Sequence, residues 1–379
     1  MTSDGLAADL DALSVSTAPM RQRMVNQGVW RPVAPDISGV VRWLVGIQAQ
    51  EFPYALWSVA QRMSTFAGSV DLLKAFDDGV PLRTHVLRPT WHFALPDDIR
   101  WMLRLTAPKL RRLMAYYSRQ HGLDEAELAR SRNLLAEAVA DGRHRTRREL
   151  ADHLQAAGVE TAGMRLGFLL MHAEFDEVLI SGAMRGKQQT YAAFDERVPP
   201  GPDLSEDEAL AELARRFVIS RTPVTAKDLA GWASLTLAQA RRGLAAIESE
   251  CEISELDGMT MWSVPGSPSS GSVNQRPGPV VDLVQGYDEL VMSYFESRRL
   301  LAPTGVLPVA DYASHLHAVL LDGRLVGHWR HQLSRDGAVI EVQLRRPLLD
   351  DEPAALLDAV GRYGIYLGVP TTVAEPVLL

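Results

Sequence analysis

A single cysteine, Cys251, among 379 residues excludes an internal disulfide framework and a thiolate metal cluster. No apolar run approaches the roughly 20 residues needed to span a bilayer. The opening stretch, MTSDGLAADLDALSVSTAPMRQRM, has neither a basic leader nor an apolar segment, so no secretory signal is expected and the expected compartment is the cytoplasm. Several catalytic signatures are also missing: HExxH, the P-loop, a Gly-x-Gly-x-x-Gly after a strand and a Gly-x-Ser-x-Gly elbow. The ten histidines show no metal-ligand spacing, and His315 and His317 read as marking one face of a short segment. No metal and no cofactor are expected, and hydrolases of the usual nucleophile or metal types are disfavoured.

An excess of positive charge is lacking too. The formal net charge is −8, which argues against a protein that coats nucleic acid. Phosphate binding depends on local charge, however, and the basic residues are clustered. Arg100, Arg104, Lys109, Arg111, Arg112 and Arg119 form one stretch; Arg143, Arg145, Arg147 and Arg148 form another. Acidic residues concentrate in 195–212, 246–258 and 349–352. Either basic run alone reads as a solvated helix face. One basic face with acidic flanks remains compatible with DNA.

The length allows two or three domains. Helical spacing of Val40, Val41, Leu44 and Val45, and then of Tyr54, Trp57, Ser58 and Gln61, predicts two helices within residues 36–63, broken between Gly46 and Pro53. Pro53 suits a first helical turn, where its missing N–H is harmless. Gln48-Ala49-Gln50 is thus expected at a helix–helix junction. A short helix from Asp71 to Phe76 and a hairpin of 83–88 with 91–94 complete the order of a winged helix. The order recurs. Thr146 and Glu149 form a capping box before a helix to Ala157, followed by a helix from Met164 to Phe175 and a wing from Val178. Thr225 and Asp228 cap a third unit, with helices Lys227 to Trp232 and Leu237 to Ile247 and strands around Asp257-Gly258. The interval is about 80 residues, near the size of a small domain.

Residues 265–280 are rich in Gly, Ser and Pro and read as a linker. Beyond it, Asp322-Gly323 and Asp336-Gly337 mark turns between strands Ala318 to Leu321, Leu325 to Trp329 and Val339 to Leu344, with a helix from Pro353 to Tyr363. The expected fold is α+β: three tandem winged-helix modules (1–98, 99–202 and 203–266), a linker (267–280) and a β-rich, barrel-like C-terminal domain (281–379).

Four separated segments carry a resemblance. They are Gly46-Ile-Gln-Ala-Gln50, Arg83-x-x-x-Leu-Arg88-Pro-Thr-Trp-His92, Tyr287-Asp-Glu289 and Leu321-Asp-Gly-Arg-Leu-Val-Gly-His-Trp329. Together they resemble the AlkZ/YcaQ-like winged-helix DNA glycosylases, and the Gln-x-Gln triplet places the chain in the AlkZ-like branch. The resemblance implies catalysis by Gln48 and Gln50 on a concave DNA-binding surface. It also implies removal of N7-alkylguanine or unhooking of crosslinks, in some actinobacterial members as self-resistance to a genotoxic natural product. The implied partner is double-stranded DNA containing alkylated purines, engaged by a monomer with no membrane.

The chemistry of the triplet can be read separately. A side-chain amide donates and accepts hydrogen bonds but has no useful basicity. Gln48 and Gln50 can orient a water and stabilise developing charge, which suffices only for a leaving group that is already good. A purine alkylated at N7 or N3 is cationic and departs neutral, leaving positioning and electrostatics to supply the acceleration. No lysine lies near the triplet, which fits water rather than an amine as nucleophile and hence a monofunctional enzyme.

Glu51 is adjacent to the triplet and is a candidate base, but reads more simply as a helix N-terminal carboxylate favoured by the helix dipole. Arg88, Thr90, Trp91 and His92 are candidates to line a lesion pocket or bind DNA, Arg88 and His92 through the phosphate backbone; Trp91 more simply belongs to the core. Arg145, Arg147 and Arg148 stand at a helix start, where phosphate binding is natural. Asp288 and Glu289 are expected to be solvated or capping, and Trp329 to be structural. The rival is a non-catalytic winged-helix transcriptional regulator, which calls for a dimer and a basic recognition helix. The third module offers only Arg241 and Arg242 for that purpose.

Overall fold

The computed structural model describes residues 18–65, 67–266, 278–301 and 317–379. Most of the expected linker 267–280, and His315, lie outside the described residues.

Helix α1 (Ala18–Asn26) precedes α2 (Ile37–Leu44), which Asp36 caps by accepting from the Gly39 N–H and which buries Ile37, Val40, Val41 and Leu44. Strand β1 (Ile47–Gln48), α3 (Phe52–Ala60, Pro53 in its first turn), α4 (Ser69–Asp77), β2 (Leu82–His85) and β3 (Trp91–Ala94) follow. The sheet order is β1-β3-β2, with Ile47 opposite Phe93 and Gln48 opposite His92. The Gln-Ala-Gln segment lies between α2 and α3 as expected, and its first residue ends a two-residue strand laid against the hairpin. A strand of two residues has no periodicity to read.

Two long helices come next, α5 (Pro96–Gln120) and α6 (Glu125–Val139). The first basic stretch rides on α5 and meets acids from elsewhere: Arg100 pairs with Glu177 and Asp195, Arg104 with Asp203 and Arg111 with Asp176. Those partners cancel much of the charge that the sequence alone left exposed. Strand β4 (Arg145–Thr146), α7 (Arg147–Ala156), α8 (Arg165–Phe175), β5 (Leu179–Ser181) and β6 (Thr190–Ala193) form the second unit, with sheet order β4-β6-β5. The Thr146–Glu149 capping box opens α7 as expected.

After α9 (Phe194–Arg197), helices α10 (Glu206–Arg221), α11 (Ala226–Trp232) and α12 (Leu237–Ala246) lead to the hairpin β7 (Glu252–Leu256) and β8 (Met259–Ser263). Helix α12 lies close on α10 at Gly243, where a Cβ would stand 2.6 Å from the Leu210 carbonyl oxygen. Backbone cannot yield cheaply, so Gly243→Ala is expected to cost about 1–3 kcal/mol, read as a lowered urea midpoint. An unchanged midpoint would show that the helices separate freely.

The C-terminal region holds β9 (Val281–Val284), α13 (Glu289–Met292), β10 (His317–Leu321), β11 (Arg324–Leu333), β12 (Ala338–Leu344), α14 (Glu352–Leu367), β13 (Thr371–Val373) and β14 (Val377–Leu378). Its six strands run β13-β12-β11-β10-β9, with β14 also on β12. Strands β9 and β13 do not pair, so the sheet is a curled half-barrel rather than a closed one. Its inner face shares a core with the first unit: Trp57, Phe76, Trp329 and Tyr363 belong to one apolar cluster. Trp329 is fully buried there, as expected of a structural residue.

Candidate active site

Two rare backbone turns frame the Gln-Ala-Gln strand. Val45 (φ 66°) ends α2 with the Gly46 N–H reaching the Leu44 carbonyl at 2.7 Å, and Leu87 (φ 67°) does the same through Arg88 and Val86, also at 2.7 Å. These are γ-turns of the positive-φ form, strained for branched side chains. They face one another, since a Cβ on Gly46 would lie 2.7 Å from Leu87 Cδ1. The strained turns set the directions in which β1 and Arg88 leave.

Gln48 is held at every backbone group. Its N–H donates to Glu289 Oε1 at 2.9 Å, its carbonyl accepts from Gln285 Nε2 at 3.3 Å, and its side-chain Oε1 accepts from Arg88 at 2.8 Å. A guanidinium only donates, so this contact fixes the amide's orientation. The Nε2 amino group is the part that no described residue engages. Gln48 is 1% exposed, whereas Gln50 is exposed and tied through its carbonyl, which accepts from Arg83 at 3.2 Å. Arg83 also binds the Ala49 carbonyl at 2.9 Å.

Glu289 is fully buried, contrary to the solvated or capping role expected of it. It accepts from Arg221 (2.8 Å), Trp232 Nε1 (2.7 Å) and Ser293 (2.8 Å), and Arg88 stands 3.9 Å away. Burial pushes its carboxyl up, but Arg221 and Arg88 outweigh this and hold it at about 2. Asp288 does cap α13, at the Leu290 N–H, yet it is also buried and paired with Arg62 at 2.7 Å. Sequence spacing could flag Tyr287-Asp-Glu289 but not its role, because Arg221 and Gln48 lie far away along the chain.

Arg88 and His92 are corrected as phosphate contacts. Arg88 is buried, donating to Gln48 and to the Trp232 carbonyl at 2.9 Å. His92 is fully buried opposite Gln48, with Nδ1 2.8 Å from the Thr90 carbonyl; burial and the nearby Arg88 charge keep it neutral. Both serve the turn from beneath. Thr90 is half-buried, and its Oγ1 has no partner among the described residues.

Trp91 is a half-buried wall of a groove of about 530 Å³, and not core. Arg83, Arg147, Arg148, Gln188, Gln189 and Tyr191 line the same groove. The Arg83 guanidinium lies 4.3 Å from the Trp91 ring centroid. Burial lowers its pKa to about 10, which leaves it cationic. Trp91 Nε1 and Gln189 Nε2 are buried donors without partners among the described residues. Arg147 and Arg148 are exposed at the start of α7. Arg145 is instead engaged by Asp141 (2.6 Å) and the Ala138 carbonyl (2.9 Å).

Glu51 occupies the position before α3 but makes no capping hydrogen bond, and burial raises its carboxyl pKa. It thus stands at the helix N-terminus as expected, without the hydrogen bond that a capping side chain makes. Its Oε2 lies 3.4 Å from His317 Nε2 on β10. Burial, reinforced by His331, lowers the His317 pKa to about 3, so the contact joins a neutral imidazole to a carboxylate and is not an ion pair. No group of three or more metal-ligating side chains occurs among the described residues. No described helix is long and apolar enough to cross a membrane.

The family model for AlkZ-like DNA glycosylases matches residues 41–366. Among solved structures, Streptomyces sahachiroi DNA glycosylase AlkZ is similar, with a TM-score of 0.77 and 21% identity over 95% of this chain and 99% of that one. No curated protein sequence matches. The fold and the matched span agree, and the chain belongs to the AlkZ-like DNA glycosylase family.

Proposed function

We propose that this protein is a monofunctional DNA glycosylase that hydrolyses the N-glycosidic bond of N7-alkylguanine-type lesions, including bulky adducts and interstrand crosslinks. Its three helical units, each with a small sheet, act as winged helices around the duplex. Gln48 and Gln50 face the reacting sugar. Arg147 and Arg148, with Trp91 and Thr90, contact the DNA. One observation carries the reading: Arg83 lines the groove and also binds the carbonyls of Ala49 and Gln50, so the triplet and the groove form one site.

The chemistry supports the same conclusion. Amides that cannot take up a proton suit a cationic purine that leaves as a neutral base, and normal bases are spared for that reason. The regulator reading loses ground at α12, where Arg242 is already paired with Glu206 and Asp207.

The test is an excision assay on duplexes carrying a panel of N7-guanine adducts, from methyl to bulky natural-product adducts and crosslinks. Base release is expected to leave an abasic site without strand cleavage or borohydride-trapped protein. Release from no member of the panel, or a discrete operator footprint without release, would sink the proposal. The adduct released fastest identifies the substrate and shows whether self-resistance is the role.

A further inference from the structure

Gln48 has been described as binding Arg88 through its side-chain oxygen. Its amino group can donate to an attacking water, and its oxygen keeps a second lone pair that can accept from that water. Neither this oxygen nor the amide of Gln50 has the basicity to take the proton up. We propose, building on the glycosylase reading, that Glu51 is the catalytic base of this site and that His317 is its positioning residue.

The geometry at the turn supports this assignment. Glu51 follows Gln50 directly and stands where a capping carboxylate normally bonds its own helix, yet makes no such bond. It is held from outside. The Gly286 N–H donates to His317 Nδ1 at 3.1 Å, so the neutral ring carries its proton on Nε2, which faces Glu51 Oε2 at 3.4 Å. The ring itself is clamped, with Tyr54 at 3.7 Å and Trp329 at 5.2 Å between centroids. The titratable groups around the carboxylate are thus His317 and, from its own helix, Tyr54, with His331 stacked behind Tyr54 at 4.9 Å. Burial raises the proton affinity of Glu51 and lowers that of His317. The neutral ring at 3.4 Å, close to the carboxylate but not hydrogen-bonded to it, sets its surroundings without neutralising it.

The reaction balances as follows. The water oxygen bonds to C1′ of the lesion nucleotide while the C1′–N9 bond breaks. The electron pair of that bond stays on N9 and neutralises the alkylpurinium cation. One water proton passes to Glu51 and then to solvent; the remaining O–H becomes the C1′ hydroxyl of the abasic sugar.

The experiment is single-turnover excision from the adduct panel by the full chain, with DNA affinity measured in parallel. Glu51→Gln is expected to slow excision about 10- to 100-fold, the low end for a general base because the leaving group is already activated, with DNA affinity unchanged. The acidic limb of its pH–rate profile should flatten. His317→Ala should lose roughly tenfold, and His317→Gln, which restores an N–H donor, should recover most of that loss. Wild-type protein active beside an equally active Glu51→Gln variant would overturn this proposal and leave the glycosylase reading intact. Slow excision explained by weakened DNA binding would overturn it as well. Wild-type protein inert across the whole panel would overturn the glycosylase reading itself.

Discussion

Gln48→Ala is expected to reduce the single-turnover rate of base excision by about 10²- to 10³-fold, the usual cost of removing one preorganised donor from a site of developing charge. DNA affinity should change little, because Gln48 is 1% exposed and so contributes little area to a duplex contact. The loss comes from the amino group that Arg88 leaves outward by claiming the amide oxygen. The substitution also leaves the Arg88 guanidinium with one fewer acceptor, so thermal unfolding should be followed alongside the rate. Gln50, held among the described residues through its backbone carbonyl, should matter less, by roughly tenfold on replacement with Ala. A double variant that excises at the wild-type rate would remove both glutamines from the mechanism.

Replacing Glu289 by Ala should have the largest effect on stability, about 3–5 kcal/mol, as measured by urea unfolding. Arg221 is fully buried against it and would be left as an uncompensated charge. Trp232 Nε1, Ser293 and the Gln48 N–H would each lose an acceptor. The pH dependence follows from the direction of the shift. The folded-state carboxyl lies at about 2, below its ordinary value of 4.5. Its stabilising contribution is therefore complete above that ordinary value and is lost as pH falls toward about 2. The gap between wild type and Glu289→Ala should be widest near neutrality and narrow between pH 4.5 and 2. A gap that stays constant, or one below about 1 kcal/mol at neutral pH, would contradict the buried pair's role.

Local signals in the chain were readable where the physics is local. The Thr146–Glu149 and Thr225–Asp228 boxes form as expected, because a hydroxyl and a carboxylate three residues apart satisfy each other's backbone donors. The hairpins at 82–94 and 252–263 also form, the second around the Asp257-Gly258 turn. The curled C-terminal sheet was partly legible from Asp322-Gly323 and Asp336-Gly337. Strand β1 was not: its pairing depends on β3, some 40 residues away, and two residues show no alternation. The long helices α5 and α10 were read only as charge runs, and α6 was not read at all. Charge on a helix face dominates composition, while the buried stripe of Trp101, Met102 and Leu110 is sparse in sequence.

At the candidate site, the sequence singled out the triplet and Arg147 and Arg148, the last two of which are exposed. The supporting layer was not visible in advance. Arg88 and His92 looked like DNA contacts because surface exposure is a tertiary quantity; both lie under the turn. Glu289, Arg221 and His317 act through partners distant along the chain, and no short motif records such a partnership.

The contact between the Gln48 N–H and Glu289 spans 241 positions. As the polypeptide leaves the ribosome from its N-terminus, the Gln-Ala-Gln strand emerges early and must wait for the last quarter of the chain to supply the carboxylate that anchors it. A nascent or prematurely ended protein would carry every helical unit without a finished reaction centre.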